Sequence, residues 1–177
     1  FSKDSIGSGT PFIVYWPTLI NSKYVKELVH IDGKKTEVIP TNQLEDHNSK
    51  KPNIVIDVPE FNEGATEEIY FGRLIGARSG DKGGCANLGV WVKNDKSYSF
   101  LYHFLTVETL KELLPDLVDY QIERFDFNNI KAVNFYIHGI LGDGASSNTK
   151  VDALAKSLGE YLRAKKVNVP KELLKEI

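Results

Sequence analysis

The sequence predicts an α+β fold in which an antiparallel sheet carries helices on one of its faces. The spacing of apolar residues supports this fold in two ways. Four segments alternate apolar and polar side chains, as strands do, and two further segments repeat apolar residues at helical spacing. In chain order the segments follow the pattern ββαββα, which makes a two-layer sandwich when both helices cover one sheet face. The strand segments are residues 69–77, 86–92, 120–125 and 131–141, and the helical segments are residues 106–114 and 151–164.

The helical segments have recognisable boundaries. Thr106 is a candidate N-cap for the first, and Pro115 ends it. The second has one apolar stripe from Val151 to Leu162. Pro170 is predicted to begin a further short helix that runs to the end of the sequence.

Residues 1–66 are predicted to form a small β-rich appendage, and residues 67–177 to form the main domain. Asp32-Gly33 lies between two β-type runs, which is a strong hairpin signal. The sequence begins at Phe1 and contains no methionine. A fragment or a processed product would explain both features, and the appendage of a fragment is expected to be the end of a larger N-terminal domain.

Composition excludes several classes of function. The 177 residues carry a formal net charge of −2, whereas a nucleic-acid binder is expected to be basic. No apolar run approaches the roughly 20 residues that a membrane-spanning helix requires. The single cysteine, Cys85, excludes an internal disulfide framework and predicts a reducing, cytoplasmic compartment. No closely spaced His, Cys and Asp ligands occur, so a metal site is not expected.

A polar, glycine-dense segment at residues 78–87 is predicted to be a loop that binds an anion. Glycine leaves backbone N–H groups uncovered, and successive N–H groups form a concavity that favours negative charge. The alternative is a tight β-turn with a surface Asp–Lys pair, since Gly-Asp-Lys-Gly-Gly is ordinary turn sequence. A strand rather than a helix follows, which excludes a nucleotide-triphosphate loop. The predicted ligand-binding residues are Arg78, Ser79, Gly80, Lys82, Gly83, Gly84 and Asn87.

Alternation also predicts which face of the sheet is available to a ligand. We expect Asn87, Trp91, Tyr136 and His138 to share the face opposite the helices. His138 is the candidate acid–base catalyst, because histidine changes charge near neutral pH. Asp81 is the second catalytic candidate. The alternatives are a structural histidine at a strand end and an aspartate that forms a turn.

The segment A-R-S-G-D-K-G-G-C-A-N-L-G-V-W-V, residues 77–92, resembles the signature of the AtuA-like C-terminal domain of the acyclic terpene utilisation family. Matching pieces follow in the family's order: E-R-F-D-F (123–127), K-A-V-N-F-Y-I-H-G-I-L-G-D-G (131–144) and L-G-E-Y-L (158–162). The resemblance implies a ferredoxin-like domain at the end of a larger protein linked to the breakdown of branched, terpenoid acids.

Two functions of different classes fit these observations. The first is a catabolic protein whose glycine segment binds a small acid or an acyl thioester of the coenzyme A type, with catalysis shared with the N-terminal domain. The second is a non-catalytic oligomerisation or docking module. A stand-alone hydrolase or isomerase that uses His138 is less favoured, because no triad or carboxylate pair is visible. The expected partners are the ligand, the N-terminal domain and further copies of the chain; the sequence names no cofactor.

Overall fold

The structure is a computed structural model that describes residues 13–14, 16–38, 58–59, 61 and 64–176. These residues fall into two compact units. The smaller lies within Trp16–Val55, and the larger takes in the remaining described residues. Much of the predicted appendage, residues 1–66, lies outside the described residues. Within the described part of the chain, no helix is long and apolar enough to cross a membrane.

The smaller unit is a β-hairpin preceded by one 3₁₀ turn at Ser22–Tyr24. Strand β1, Glu27–Ile31, pairs antiparallel with β2, Lys34–Val38. Asp32 and Gly33 connect the strands with φ angles of 48° and 76°. These left-handed angles are the ones that a two-residue type I′ turn requires, so the hairpin predicted from the Asp-Gly pair is present.

The larger unit combines antiparallel sheets with three α-helices among its described residues. Its strands are β3 Thr66–Tyr70, β4 Gly76–Lys82, β5 Cys85–Trp91, β6 Ile122–Phe127, β7 Ala132–Ile137 and β8 Lys166–Pro170, and its helices are α1 Asp95–Phe104, α2 Val107–Leu113 and α3 Leu158–Arg163. Strands β4, β5, β7 and β6 form a four-stranded sheet in that order, and β3 pairs with β8. The fold is therefore a mixed α/β arrangement with antiparallel sheets.

The predicted first strand, residues 69–77, is wrong. β3 ends at Tyr70, a 3₁₀ turn follows at Phe71–Arg73, and β4 begins at Gly76. The N–H groups of Leu74 and Ile75 both donate to the Phe71 carbonyl, which closes this turn. The predicted order ββαββα also omits β3, β8 and α1, since residues 97–105 are ambiguous between strand and helix in the sequence. Apolar content misled the prediction, because the turn is as buried as the strands beside it.

One hydrophobic core joins the sheet to all three helices. Leu101 of α1, Leu110 of α2 and Leu162 of α3 are fully buried in the same cluster as Phe135 of β7. Thr106 caps α2 as predicted, since its Oγ1 accepts the Thr109 N–H at 3.2 Å. The helices thus pack into the same core as the apolar residues of the sheet.

The predicted helix at residues 151–164 is too long. Only α3 is helical, Ala155 has a left-handed φ of 51°, and Val151 is fully exposed. Asp152 accepts backbone hydrogen bonds from Lys156 and Ser157, and such local side-chain bonds compete with helix formation.

The helix predicted from Pro170 is also wrong. Pro170 is the last residue of β8 and pairs with Thr66 of β3. A 3₁₀ turn at Leu173–Glu176 follows it. Proline is compatible with this position because it lies at the end of a strand in a two-stranded sheet.

Candidate functional site

The predicted glycine-rich loop is mostly strand. β4 continues through Lys82 and β5 begins at Cys85, so only Gly83 and Gly84 form the turn. Gly80 and Lys82 are both in register with residues of β5. The backbone of β4 is therefore paired with β5 along one of its two edges. The prediction failed because glycine is uncommon in strand interiors. The open concavity of N–H groups that it assumed is therefore replaced by a hairpin.

The turn of this hairpin packs against a second turn at residues 139–144. The Leu141 N–H donates to the Gly84 carbonyl at 2.8 Å. A Cβ on Gly84 would lie 2.1 Å from the Gly142 carbonyl oxygen, and Gly83 has a left-handed φ of 63°. Close backbone approach and turn geometry thus require glycine at these two positions.

Register and alternation divide the four-stranded sheet into two faces. Leu88 and Phe135 are paired and fully buried on the core face. Asn87, Tyr136 and Glu123 are aligned in one row across β5, β7 and β6 on the other side, which we call the open face. The His138 N–H donates to the Gln121 carbonyl and extends the ladder. The predicted common surface is therefore present, with Asn87, Trp91, Tyr136 and His138 on the open face.

Three cationic side chains gather at the β4 edge of the open face. Arg78 and Lys82 are exposed on β4 and alternate with Gly80. Lys156 reaches the same place from the segment before α3, because a Cβ on Gly80 would lie 2.7 Å from Lys156 Nζ and 4.0 Å from Asn87 Oδ1. Among the described residues, none of the three cations forms a salt bridge.

Two predicted site residues lie on the core side of the sheet. Ser79 and Asp81 alternate with the open-face residues of β4. The Ser79 hydroxyl donates to the Lys156 carbonyl at 3.2 Å and accepts the Gly159 N–H at 3.0 Å. Ser79 therefore attaches the beginning of α3 to β4. Asp81 is not brought together with His138, which is on the open face.

Lys156 is not among the predicted site residues, because the helical pattern places it on the solvent side of a helix. Asp152 instead holds the segment as a turn: its Oδ1 accepts the Lys156 N–H and its Oδ2 accepts the Ser157 N–H, both at 2.8 Å. This turn brings Lys156 to Gly80. Nothing local in the sequence marks the contact, since the two residues are far apart along the chain.

The carboxylate of Asp152 gives this turn a predictable pH dependence. Burial would raise the pKa of Asp152, but hydrogen bonds from Ser157 and Lys156 and the charge of Lys156 lower it below 3.8. The stabilising contribution is therefore complete above the unfolded pKa and is lost as the pH falls through the folded one. We expect Asp152→Asn to lower the free energy of unfolding at pH 7 and to have a smaller effect at pH 3. Urea unfolding at both pH values tests this, and an effect of equal size would contradict it.

An imidazole–carboxylate pair lies at the opposite, β6 edge of the open face. His138 Nε2 is 2.5 Å from Glu123 Oε1, and the rings of His138 and Tyr136 meet edge-on with centroids 4.8 Å apart. A hydrogen bond to Cys85 is the largest cause that raises the pKa of Tyr136 above 10.0, followed by burial and the charges of Cys85 and Glu123. An imidazole oriented by a carboxylate is suited to proton transfer.

The two charged edges are far apart within one chain. Gly80, Asn87, Tyr136 and Glu123 stand in one row across the four strands. Three strand spacings separate the ends of this row, about 14 Å. His138 directly follows β7, one strand nearer to β4, and so lies about 10 Å from the β4 edge.

The remaining end of the open face is aromatic. Trp91, Phe125 and Phe127 are 43%, 46% and 45% exposed. The indole of Trp91 covers Gly76, where a Cβ would lie 2.3 Å from the ring. Exposed aromatic surface of this kind indicates an interface or a ligand site.

A cleft elsewhere in the larger unit is less suited to an anion. A cleft of about 500 Å³ beside α1 is lined mainly by apolar groups, including Phe61, Phe100 and Phe104. His103 at its rim is 3.2 Å from the Val58 carbonyl oxygen. Among the described residues, no cluster of three or more His, Cys, Asp and Glu is arranged to hold a metal ion.

These features define an antiparallel α/β domain with a polar and aromatic sheet surface. The chain matches the AtuA ferredoxin-like domain family at residues 70–168, more than half of its length, and it belongs to that family. The match extends from β3 to β8 and contains the whole four-stranded sheet. No curated protein and no solved structure matches the chain. The resemblance found in the sequence is therefore confirmed.

Proposed function

We propose that the larger unit is the ligand-binding part of a catabolic protein of the acyclic terpene utilisation type. It binds the carboxylate of a small acid, or a phosphate of an acyl thioester, at the β4 edge of the open face. One observation carries this proposal: the Lys156 ammonium lies over Gly80, on the edge that carries Arg78 and Lys82. The Lys82 ammonium donates to the Asp81 carbonyl at 3.0 Å. Family membership supports the catabolic context.

The chemistry of the edge suits an anion in three ways. The Arg78 guanidinium supplies a planar fork of donors, and the two ammonium groups supply point charges. Gly80 is buried beneath Lys156, so an anion bound there is partly shielded from water, which strengthens charge-assisted hydrogen bonds. Asn87 adds an amide whose Nδ2 donates to Asn134 Oδ1 at 3.3 Å.

Catalysis, in this proposal, is shared between the His138–Glu123 pair and another domain of the protein. Across the sheet, His138 lies about 10 Å and Glu123 about 14 Å from the β4 edge.

The layer arrangement that we propose with this function is the ferredoxin-like two-layer sandwich. The strand order β4-β5-β7-β6 is that of a ferredoxin-like sheet in which the strand that is usually first in the chain comes last. The buried residues of β5 and β7 alternate along each strand, which supports one covered and one uncovered face. The single cysteine supports a reducing, cytoplasmic location.

The proposal predicts that removing one cation weakens ligand binding without unfolding the protein. We expect Lys156→Ala and Arg78→Ala each to reduce affinity about tenfold, because a hydrogen bond to a charged group contributes about 1.5–3 kcal/mol. Calorimetric titration with coenzyme A and with isovalerate measures the affinity.

Lys34→Ala is the matched control, since it removes an exposed cation from the hairpin of the smaller unit. Unchanged affinity in both edge variants would refute the binding role. Loss of folding in both variants would assign the edge a structural role instead.

The alternative, a non-catalytic assembly module, is favoured by one separate observation. Trp91, Phe125 and Phe127 leave nearly half of their surface exposed on the same face. A cationic ligand site does not require these rings.

A further inference from the structure

We propose that a second copy of this chain packs on the open face, sheet against sheet, with a two-fold axis parallel to the strands. The open face is asymmetric in charge and in aromatic content, and this symmetry makes it complementary to itself. The proposal goes beyond ligand binding by one chain, because it assigns an occupant to the aromatic end of the face.

The charges of the open face are segregated to opposite edges. Arg78, Lys82 and Lys156 lie at the β4 edge, and Glu123 lies at the β6 edge with 49% of its side chain exposed. β4 and β6 are the two outer strands of the sheet. These opposite charges can pair between two copies only if the β4 edge of one copy lies over the β6 edge of the other.

The direction of the two-fold axis decides whether the edges match. Rotation about an axis parallel to the strands places the β4 edge of one copy over the β6 edge of the other. Rotation about an axis across the strands places β4 over β4, which brings cations together and disfavours that dimer. Symmetric dimers use the same patch on both copies, so charge selects the first arrangement.

The register then predicts which side chains meet. Gly80 and Glu123 stand in the same row of the sheet, so Lys156, which lies over Gly80, faces Glu123 of the second copy. Arg78 and Phe125 share the next row, which places a guanidinium over an aromatic ring. Trp91 shares a row with Phe127, so the exposed rings pack together at the aromatic end.

The size of the face predicts a reversible dimer. Four strands of six or seven residues give a face about 20 Å wide and about 20 Å long. This amounts to about 400 Å² per copy, or about 800 Å² in total, which is the size of a weak, transient interface. We therefore expect the dimer to dissociate on dilution through the micromolar range.

Charge reversal tests the dimer directly. We expect Lys156→Glu and Glu123→Lys each to raise the dissociation constant of the dimer about tenfold or more, because each places like charges together twice. An equimolar mixture of the two variants should dimerise like wild type, since both contacts of the mixed dimer then join opposite charges. Sedimentation equilibrium of the 177-residue chain measures the association of wild type, of each variant and of the mixture.

The controls separate the outcomes. Lys34→Glu makes the same change of charge in the smaller unit and should leave association unchanged. Trp91→Ala changes no charge and should also weaken the dimer. It replaces a charge-reversal variant that does not fold.

Two results would contradict the proposed dimer: a wild-type protein that is monomeric at 100 μM, or a mixture of the two variants that associates no better than either variant alone. Anion binding that persists in such a monomer would leave the proposed function standing, whereas a dimer without anion binding would refute only that function.

Discussion

Gly84→Ala is expected to lower the free energy of unfolding by about 3 kcal/mol or more. The added methyl carbon would lie 2.1 Å from the Gly142 carbonyl oxygen. Both atoms belong to backbone turns, so neither can move aside as a flexible side chain does. Relief of the clash requires the two turns to separate, which breaks the hydrogen bond from the Leu141 N–H to the Gly84 carbonyl.

Urea unfolding followed by tryptophan fluorescence measures this loss. Gly64→Ala is the matched control, because a Cβ there meets nothing within 4 Å and the backbone is not left-handed. The control should unfold within about 0.5 kcal/mol of wild type. A Gly84→Ala protein as stable as the control would show that the two turns do not pack as the structure has them.

Phe135→Ala is expected to cost about 3–5 kcal/mol, the range for truncating a buried phenylalanine. Phe135 is fully buried in the central strand β7, where it pairs with Leu88 and Arg124. Its removal leaves a cavity between the sheet and the helices. The neighbouring side chains are closely packed and cannot move enough to fill it. The melting temperature should fall by more than 10 °C in a domain of this size.

Phe125→Ala provides the comparison on the other face of the sheet. Phe125 lies one strand away from Phe135 and is 46% exposed, so its truncation in the monomeric protein should cost about 1 kcal/mol or less. Equal losses for the two variants would mean that the assignment of the core face and the open face is wrong.

The alternation of apolar and polar residues along the strands predicted the two faces of the sheet well. Leu88 and Phe135 proved to be buried, and Asn87 and Tyr136 lie on the open side. This prediction succeeds because each strand has one buried and one uncovered face. Successive residues point to opposite faces, so apolar and polar residues alternate in the sequence.

Local signals succeeded where the determining contacts are local. The turn at Asp32-Gly33 needs left-handed backbone, which these residues adopt readily. Thr106 caps α2 through a residue three positions later. In both cases the residues that set the structure are neighbours in the sequence.

The errors arose where distant contacts override local preference. Gly80 looked like a loop residue, but its missing side chain leaves room for Lys156 on a strand. The helix predicted from residue 151 was shortened by the hydrogen bonds of Asp152 and by a left-handed Ala155. The contribution of Lys156 to the candidate site depends on that turn, so no pattern within either segment reveals it.

The central claim is that the cationic edge of the open face is where an anionic ligand binds. The most direct measurement is a titration of the 177-residue chain with coenzyme A, followed through backbone amide chemical shifts. We expect the largest changes at Arg78, Gly80, Asn87 and Lys156. Changes concentrated instead around Phe100 and Phe104 in the apolar cleft, or no saturable change anywhere, would contradict the claim.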